Sequence, residues 1–262
     1  MCSACDLQDR SGGTLLAGGN PFLRNEPWEQ KTMHEDVKQR MVEAGKIFEQ
    51  AGQGDWTRGH ISVRVPDAPD RFYMKASKIG LEEITPDNLI TVALDGEKVA
   101  GDLGRHNEVY IHSEVLKARP DVNAVVHTHA PYAVSFSALG KPLQAIGHAG
   151  SIFSEGLPVF SETTELITTA ERGRAVAATL GGHGAMLLQN HGIVTAAASI
   201  EQAIYLALSL ETACMMQLWV EAAGGAKALG KPEDVKAKRR HMFRDEMFKA
   251  TFAYLVRRLK RG

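Results

Sequence analysis

One short stretch of the chain, from Asp121 to His129, constrains the fold more than any other. It opens on the turn signal Arg119-Pro120-Asp121 and continues as Ala124-Val125-Val126, a short apolar run typical of a buried strand. Successive side chains of a strand point to opposite faces, so we expect His127 and His129 to share one face. Two imidazoles on a rigid face are two of the three protein ligands that a catalytic metal site commonly uses. The alternative is a coincidental His-X-His at a strand end.

Two further stretches supply candidate partners for this histidine pair. The apolar run from Ala185 to Leu188 leads into Asn190-His191-Gly192. There His191 is either a third ligand, if the two strands are neighbours, or a polar residue capping a loop, and the glycine suits a turn at a crowded site. Glu108 opens a segment with helical apolar spacing, where a carboxylate can bind a metal, act as a base, or only complement the helix dipole. These residues predict a divalent-metal site, and imidazole ligands suit zinc, manganese, cobalt or iron.

In this order and spacing, the motifs resemble the class II aldolase/adducin family over about residues 33–223. The resemblance implies an α/β fold, a three-layer α/β/α domain with a central, mostly antiparallel sheet. It also implies a homo-oligomer, commonly a cyclic tetramer, with active sites between neighbouring subunits. By motif position, His127, His129 and His191 correspond to the metal ligands and Glu108 to the acid/base carboxylate.

The loops around the predicted site depart from the pattern of the family's sugar-phosphate aldolases. Those enzymes hold phosphate with an Asn in a Gly-Asn-φ-Ser motif (φ is apolar), with a Thr/Ser-Gly loop, and with a Ser-Ser pair before the catalytic Glu. Here His60 stands in place of the Asn, and His106-Asn107 in place of the Ser-Ser pair. Small hydroxyls and backbone amides suit a phosphate dianion, and bulkier side chains fill that space. We therefore expect a substrate without a phosphate group.

Two basic residues in the same loops are candidates for binding a substrate carboxylate. Lys78 lies in the loop after Ser77, and Arg105 precedes His106, where a guanidinium can form two parallel hydrogen bonds to a carboxylate. Each is alternatively a solvated loop charge, and His60 is alternatively a polar residue at a strand start. The candidate substrate-binding residues are Arg105, His106, Asn107, Lys78, Ser77 and His60.

His148 is the candidate for a second proton-transfer group. In the fuculose-phosphate-type aldolases of the family, a Tyr near this point reaches into the adjacent subunit's site as proton donor. Alignment on Ala145-Ile146 puts His148 at that position. A histidine can donate a proton near neutral pH, although His148 can also be a polar loop residue.

The composition suits a single sizeable domain that binds neither nucleic acid nor a membrane. The chain has 262 residues, 44% of them hydrophobic, and a formal net charge of −1. No apolar run approaches the ~18 residues of a membrane span, and no signal peptide is evident. Three cysteines, two of them in the Cys2-X-X-Cys5 pair, do not form a disulfide framework. We expect a cytoplasmic enzyme.

Three segments are predicted. Residues 1–28, with two glycine-bearing clusters, are expected to form a flexible N-terminal arm. Residues 29–225 are expected to form the catalytic domain. Residues 226–262 are expected to form a basic helical tail, whose aromatic apolar side favours docking on a neighbouring subunit over binding nucleic acid.

The expected chemistry follows from the metal. A divalent cation that binds two oxygens of a hydroxy acid or hydroxy-carbonyl compound stabilises the charge that develops when a neighbouring carbon–carbon bond breaks. The loop pattern Arg105-His106-Asn107-Glu108, together with His148, is similar to the family's decarboxylases of dihydroxyphthalate and hydroxymethylpyridine-dicarboxylate. We expect decarboxylation of an ortho-hydroxylated aromatic acid. The alternatives are an aldolase for a non-phosphorylated hydroxy-carbonyl compound, a sugar-phosphate aldolase or epimerase, and an adducin-like module without turnover.

Overall fold

The structure is a computed structural model that describes residues 27–261. The predicted N-terminal arm and the Cys2–Cys5 pair therefore lie outside the described residues, apart from the two residues that begin the first helix. In chain order the elements are α1 (Pro27–Gln50), β1 (His60–Val65), β2 (Ala68–Lys75), β3 (Leu89–Ala93), β4 (Lys98–Ala100), α2 (Val109–Ala118), β5 (Ala124–Thr128), α3 (Pro131–Ser137), α4 (Gly147–Ile152), β6 (Val159–Phe160), α5 (Ala170–Leu180), β7 (Ala185–Leu188), β8 (Gly192–Ala197), α6 (Ile200–Ala222), α7 (Pro232–Met242) and α8 (Asp245–Leu259).

The eight strands form one sheet in the order β4-β3-β2-β1-β5-β8-β7-β6. Every neighbouring pair is antiparallel except β6 and β7, which are parallel, so the expected mostly antiparallel sheet is confirmed. In the centre, β5 lies between β1 and β8. Because both neighbours run antiparallel to β5, the start of β1, the end of β5 and the start of β8 meet at one edge of the sheet.

Helices cover both faces of the sheet, which confirms the three-layer α/β/α arrangement. One core packs α1, α3, α4, α6 and α8 against one face, and the other core packs α2 and α5 against the opposite face. The adjacent residues Val125 and Val126 belong to different cores because strand side chains alternate. The central strands are buried on both faces, and the cluster-bearing ends of these strands are therefore rigidly held.

The second core includes a close crossing of α2 over α5 at Gly173. A Cβ atom at this position would lie 2.5 Å from the Tyr110 carbonyl oxygen and 2.9 Å from Cγ of Glu114. The backbones of the two helices approach too closely for any side chain. The position of α2, which begins immediately after Glu108, is therefore set directly by the backbone of α5.

The C-terminal tail forms two helices, α7 and α8, rather than the single helix that we expected. Phe248 contacts Tyr205 of α6 with ring centroids 5.0 Å apart, and Phe252 is buried in the core beside α1 and α6. Part of the apolar side that we assigned to a neighbouring subunit thus packs within its own chain. Docking of the remaining tail surface stays a prediction.

Among residues 27–261, α6 is long and apolar enough, by length and composition alone, to cross a membrane. This qualifies the expectation that no stretch comes near that length. The helix carries Glu201, Glu211 and Glu221, and 44% of its most apolar window is buried inside the protein. Such burial is typical of the core helix of a globular domain.

Candidate metal centre

Four side chains converge at the sheet edge where β1, β5 and β8 meet. His127 lies near the end of β5, and His129 follows that strand. His191 lies in the β7–β8 turn, and Glu108 precedes α2. Their candidate ligand atoms all lie within 4.8 Å of one another. The structure therefore brings together the three histidines and the glutamate that the sequence predicted as one cluster.

The contacts of Nδ1 in His127 and His129 determine whether Nε2 of each ring can act as an acceptor or a metal ligand. His127 Nδ1 lies 2.9 Å from the Ile193 carbonyl oxygen, and His129 Nδ1 lies 2.7 Å from Oδ2 of Asp55. Burial raises the pKa of Asp55, but hydrogen bonds from His129 and Arg58 outweigh it and lower that pKa below its usual 3.8, so the carboxylate is ionised. Both oxygens can only accept, so Nδ1 of each ring carries a hydrogen, and in the neutral form of the ring Nε2 directs a lone pair into the cluster.

These two lone pairs are the test of whether the residues fit a cation. Nε2 of His127 and Nε2 of His129 lie only 3.1 Å apart. Two lone pairs at this separation would repel each other, so the contact needs either a proton shared by the two nitrogens or a cation bound by both. Neutral imidazole Nε2 is a preferred ligand of divalent metals, and the held Nδ1–H is the usual supporting contact. The donor set fits a divalent cation.

His191 and Glu108 complete the cluster. His191 Nε2 is buried with no hydrogen-bond partner among the described residues, and it lies 3.5 Å from Oε1 of Glu108. That oxygen also accepts a hydrogen bond from the Ile167 backbone N–H at 2.8 Å. Burial raises the pKa of Glu108, but His191, His127 and the Ile167 N–H outweigh it and lower the pKa to about 2. Glu108 is therefore ionised at neutral pH.

The turn that carries His191 is crowded, as the sequence predicted for the glycine after it. A Cβ atom at Gly192 would lie 2.6 Å from the Thr128 carbonyl oxygen and 3.0 Å from Cε1 of His127. Asn190 adopts a left-handed φ of 55°, and its backbone N–H donates to Ser137 at 2.8 Å. Only a glycine allows β8 to start this close to β5.

Asp55 is a functional residue that the sequence analysis missed. Its loop is held by Gln53, which accepts a hydrogen bond from Thr128 at 2.8 Å, and by Arg58, which pairs with Asp55 at 2.9 Å. Asp55 is 74 residues away from His129 in the chain. No local pattern in the sequence indicates this contact.

A group of buried imidazoles lies beside the metal cluster. The ring of His60 is 4.9 Å from that of His127 and 4.6 Å from that of His106, and His60 Nε2 is 4.0 Å from Oε2 of Glu108. His60 Nδ1 contacts Nε2 of His112 at 2.6 Å. Burial, followed by the charge of neighbouring imidazoles, lowers the pKa of His60 well below 6.5 and that of His112 to about 3. Both rings are therefore neutral. The sequence analysis did not identify His112 as a candidate.

His106 is held by a buried lysine that the sequence analysis left out of the site. His106 Nε2 lies 3.0 Å from the Ala76 carbonyl oxygen and 3.2 Å from Nζ of Lys75. Lys75 is fully buried and donates to the Thr57 carbonyl oxygen at 3.0 Å. Burial lowers the pKa of Lys75 to about 8. These bonds tie the loop after β2 to the loop before α2, beside His60.

The remaining substrate-binding candidates lie in these two loops. Ser77 donates through its backbone N–H (2.8 Å) and Oγ (3.1 Å) to the Gly104 carbonyl oxygen, which holds the loops together. Lys78 is exposed with a left-handed φ of 68°, and Asn107 is exposed. The Arg105 guanidinium lies over the Tyr110 ring, 5.7 Å from its centroid, and donates to the His106 carbonyl oxygen at 3.3 Å. Their roles toward a substrate stay predictions.

The structure does not bring His148 to the cluster of its own chain. His148 is exposed on α4 and lines a shallow cavity of about 250 Å³ with residues of α6, α7 and α8. None of the four cluster residues lines that cavity. The prediction that His148 serves a neighbouring subunit's site therefore stays open.

Comparison with known proteins adds the family context. The family described as Class II Aldolase and Adducin N-terminal domain matches residues 39–218. Decarboxylase NovR of Streptomyces niveus is 35% identical over 186 residues, which are 70% of this chain and 67% of NovR. The 3,4-dihydroxyphthalate decarboxylase of Arthrobacter keyseri is 30% identical over 210 residues, 76% of this chain and 84% of that protein.

Aldolases are similar to the chain as well. The 5-methylthioribulose-1-phosphate/5-deoxyribulose-1-phosphate aldolase of Rhodospirillum rubrum is 29% identical over 175 residues, 67% of this chain and 77% of that protein. Among solved structures, an aldolase II superfamily protein from Pseudomonas syringae superposes with a TM-score of 0.79 at 28% identity, covering 91% of this chain and 95% of that one. The fold and the four-residue cluster are thus found in a chain whose relatives include both named decarboxylases and named aldolases.

Proposed function

We propose that this chain, which belongs to the class II aldolase and adducin family, is a divalent-metal-dependent carbon–carbon lyase. Its proposed reaction is the decarboxylation of an ortho-hydroxylated aromatic acid, such as a dihydroxyphthalate. The observation that carries the metal dependence is the pair of inward Nε2 lone pairs, 3.1 Å apart, on His127 and His129. The observation that favours a planar acid over a sugar phosphate is the packing of His60 and His106 beside that pair.

His127, His129 and His191 would hold the cation, with Glu108 in reach of the same position. A divalent cation bound there supplies Lewis acidity to two substrate oxygens. Glu108 is ionised and is our candidate to accept the proton of the substrate hydroxyl. His148 of a neighbouring subunit is our candidate to protonate the ring carbon whose bond to the leaving carbon dioxide breaks. Both roles are general acid–base roles, which contribute about 10²–10⁴-fold to a rate.

The neighbouring loops support the expectation that the substrate lacks a phosphate. The His60 and His106 ring centroids lie 4.6 Å apart, and these imidazoles stand where the sugar-phosphate aldolases have an Asn and a Ser. A phosphate dianion is held by many convergent N–H and O–H donors. A flat aromatic acid instead packs well against imidazole rings, and Arg105 or Lys78 is our candidate for pairing with its second carboxylate.

The test is a substrate screen of metal-replete protein. Protein loaded with zinc, manganese, cobalt or iron is incubated with 3,4-dihydroxyphthalate and other ortho-hydroxy aromatic acids, and carbon dioxide release and product mass are measured. We expect release with one or more of these acids and none with the His129→Ala variant. Release by His129→Ala at the same rate, or none by any metal form of the wild type, would contradict the proposal.

A second candidate is an aldolase for a non-phosphorylated hydroxy-carbonyl compound, favoured by the 29% identity to the Rhodospirillum rubrum aldolase. Trapping of a released aldehyde in the same screen would support it. Micromolar inhibition by simple sugar phosphates would contradict the absence of a phosphate pocket. Metal binding without turnover of any compound would favour an adducin-like module.

We also propose that the working form is a homo-oligomer, most simply a tetramer, with sites between subunits. What supports this is the placement of His148, which lines a cavity separate from the cluster of its own chain. Oligomers of this kind close by rotational symmetry, so each site would receive the same residue from its neighbour.

A further inference from the structure

A chain of three buried side chains leads from the metal cluster into the interior of the sheet. Ser62 Oγ lies 2.6 Å from Nδ1 of His112, and His112 Nε2 lies 2.6 Å from Nδ1 of His60. His60 Nε2 then faces Oε2 of Glu108 at 4.0 Å. Ser62 and His112 are 0% exposed and His60 is 2% exposed, so no water competes for these bonds.

The direction of the hydrogen bonds along this chain follows from Ser62. Its hydroxyl has one hydrogen and two neighbours, Nδ1 of His112 at 2.6 Å and the Val125 carbonyl oxygen at 3.5 Å. The longer separation lies outside the range of a good O–H···O bond. Moreover, the backbone N–H of Arg64 donates to the Asn123 carbonyl oxygen at 2.7 Å. Hydrogen-bonded residue pairs recur at every second residue of an antiparallel ladder, so Ser62 and Val125 form the next such pair. The Val125 oxygen therefore already faces the backbone N–H of Ser62, and the hydroxyl donates to His112.

The tautomers of the two rings follow in turn. When Nδ1 of His112 accepts from Ser62, the neutral His112 ring carries its hydrogen on Nε2 and donates it to Nδ1 of His60. The neutral His60 ring then carries its hydrogen on Nε2. This nitrogen faces ionised Glu108, and an N–H directed at the carboxylate is more stable than a lone pair directed at it.

We propose that Ser62 and His112 are positioning residues that hold His60 in the Nε2-protonated neutral tautomer, so that His60 presents a hydrogen-bond donor beside Glu108 to an oxygen of the substrate. The part concerning substrate rests on the proposed function. In that reaction a carboxylate or hydroxyl oxygen that binds next to Glu108 meets the His60 N–H, and donors aimed at developing charge are among the largest contributors to catalysis.

The first test measures the tautomer and needs no substrate. In zinc-loaded protein with 15N-labelled histidine, the two ring nitrogens of His60 are identified by their loss in a His60→Gln variant. We expect a protonated Nε2 and a bare Nδ1. A protonated Nδ1 in the wild type would overturn the proposal, whatever the protein's activity.

The second test compares two serine hydroxyls that are neighbours of His112. Ser62→Ala removes the proposed donor, whereas Ser113→Ala removes an equally buried hydroxyl that has no hydrogen-bond partner among the described residues. We expect Ser62→Ala to shift the His60 nitrogen signals toward the Nδ1-protonated form and to leave the zinc content unchanged, while Ser113→Ala changes neither. Equal signals in the two variants would overturn the positioning role.

The kinetic arm uses the substrate found in the screen. We expect Ser62→Ala to lower kcat roughly 10-fold with a smaller change in KM, which is the low end of the cost of losing a supporting partner. Ser113→Ala should leave kcat and KM unchanged. Equal kinetic losses in the two variants would contradict the role. Should no substrate be turned over, the proposed function fails while the nitrogen signals still decide the tautomer.

Discussion

At the scale of single residues, the cluster depends on partners outside its four members. The outer nitrogen of His127 is held by a backbone carbonyl and that of His129 by Asp55, at 2.9 and 2.7 Å. Each partner determines the tautomer and the orientation of its ring. A carboxylate partner also increases the basicity of the ring, so Asp55 strengthens the ligand that lies outside the strand.

The first prediction concerns this carboxylate. Asp55→Asn keeps an oxygen that can accept from His129 but removes the negative charge, so we expect the affinity for zinc to fall roughly 10–100-fold. Competition with a coloured chelator measures it. Asp70→Asn, which removes an exposed carboxylate near the start of β2, is the matched control and should leave the affinity for zinc unchanged. Equal affinities of the Asp55→Asn variant and the wild type would exclude the supporting role.

The sequence predicted the four cluster residues because their signals are local. A His-X-His at the end of a strand places both imidazoles on one face, and Asn-His-Gly favours a tight turn. The resemblance to the family then indicated that these motifs belong to one site. Asp55, His112 and Lys75 could not be assigned in this way. Their contacts join segments that are far apart in the chain, such as the 52 residues between His60 and His112. Such pairs are determined by strand and helix packing, which a single sequence does not reveal.

At the scale of elements, α3 begins directly after the cluster and depends on α6 for its first turn. Glu211 of α6 accepts hydrogen bonds from the backbone N–H groups of Tyr132 and Ala133 at 2.9 and 2.8 Å. The sequence analysis did not identify Glu211 as a capping residue. By capping α3, this side chain fixes the segment that follows His129.

The second prediction concerns this cap. Glu211→Ala leaves two helix N–H groups without acceptors, so we expect the free energy of unfolding in urea to fall by about 1–2 kcal/mol. Glu211→Gln retains one acceptor and should lose less. Glu221→Ala, which removes a surface partner of Lys141 from the same helix, is the control and should have a smaller effect than Glu211→Ala. The capping role is wrong if the Glu221 and Glu211 variants lose the same stability.

The same residue gives a pH dependence. Burial raises the pKa of Glu211 above 4.5, with the two N–H groups partly opposing it. The folded protein therefore holds this proton more tightly than the unfolded chain, and stability is lost as pH rises from 4.5 through the folded pKa. Urea unfolding of the wild type measured relative to Glu211→Gln should show this decline, and a flat difference between the two would contradict it.

Several elements were missed for physical reasons that differ from one another. The β4 strand has only three residues, and α4 begins at Gly147, with a positive φ of 65°, in a stretch without apolar periodicity. The β8 strand has the sequence Gly-Ile-Val-Thr-Ala-Ala, in which Ile, Val and Thr favour a strand but the flanking glycine and alanines do not. The break between α7 and α8 occurs at Phe243-Arg244 and interrupts a continuous helical pattern. Each of these four features therefore has only a short or weak signal in the local sequence.

At the scale of the whole molecule, the central strands bring three distant segments to one edge, while α4 lies elsewhere with His148. A site that needs both the cluster and His148 therefore requires two chains. Under the proposed function, the oligomer would then be part of the catalytic unit rather than a means of stabilisation.

The third prediction tests this requirement. His129→Ala and His148→Ala should each lower kcat by about a hundred-fold or more, because one lacks a ligand and the other a proton donor. Hybrids of the two variants, co-expressed with different tags and purified through both, should recover activity that neither parent has. Recovery requires a site with both residues intact, and such a site exists only across two subunits. A fully active His148→Ala parent would contradict the shared site.

The close crossing at Gly173 bears on how this protein can diversify. Since a side chain there must push α2 away from α5, Glu108 at the start of α2 would move with it. Position 173 on α5 thus affects where the Glu108 carboxylate lies, although α5 contributes no side chain to the four-residue cluster. Libraries intended to alter which compounds are accepted should include this distant glycine alongside the residues that line the substrate.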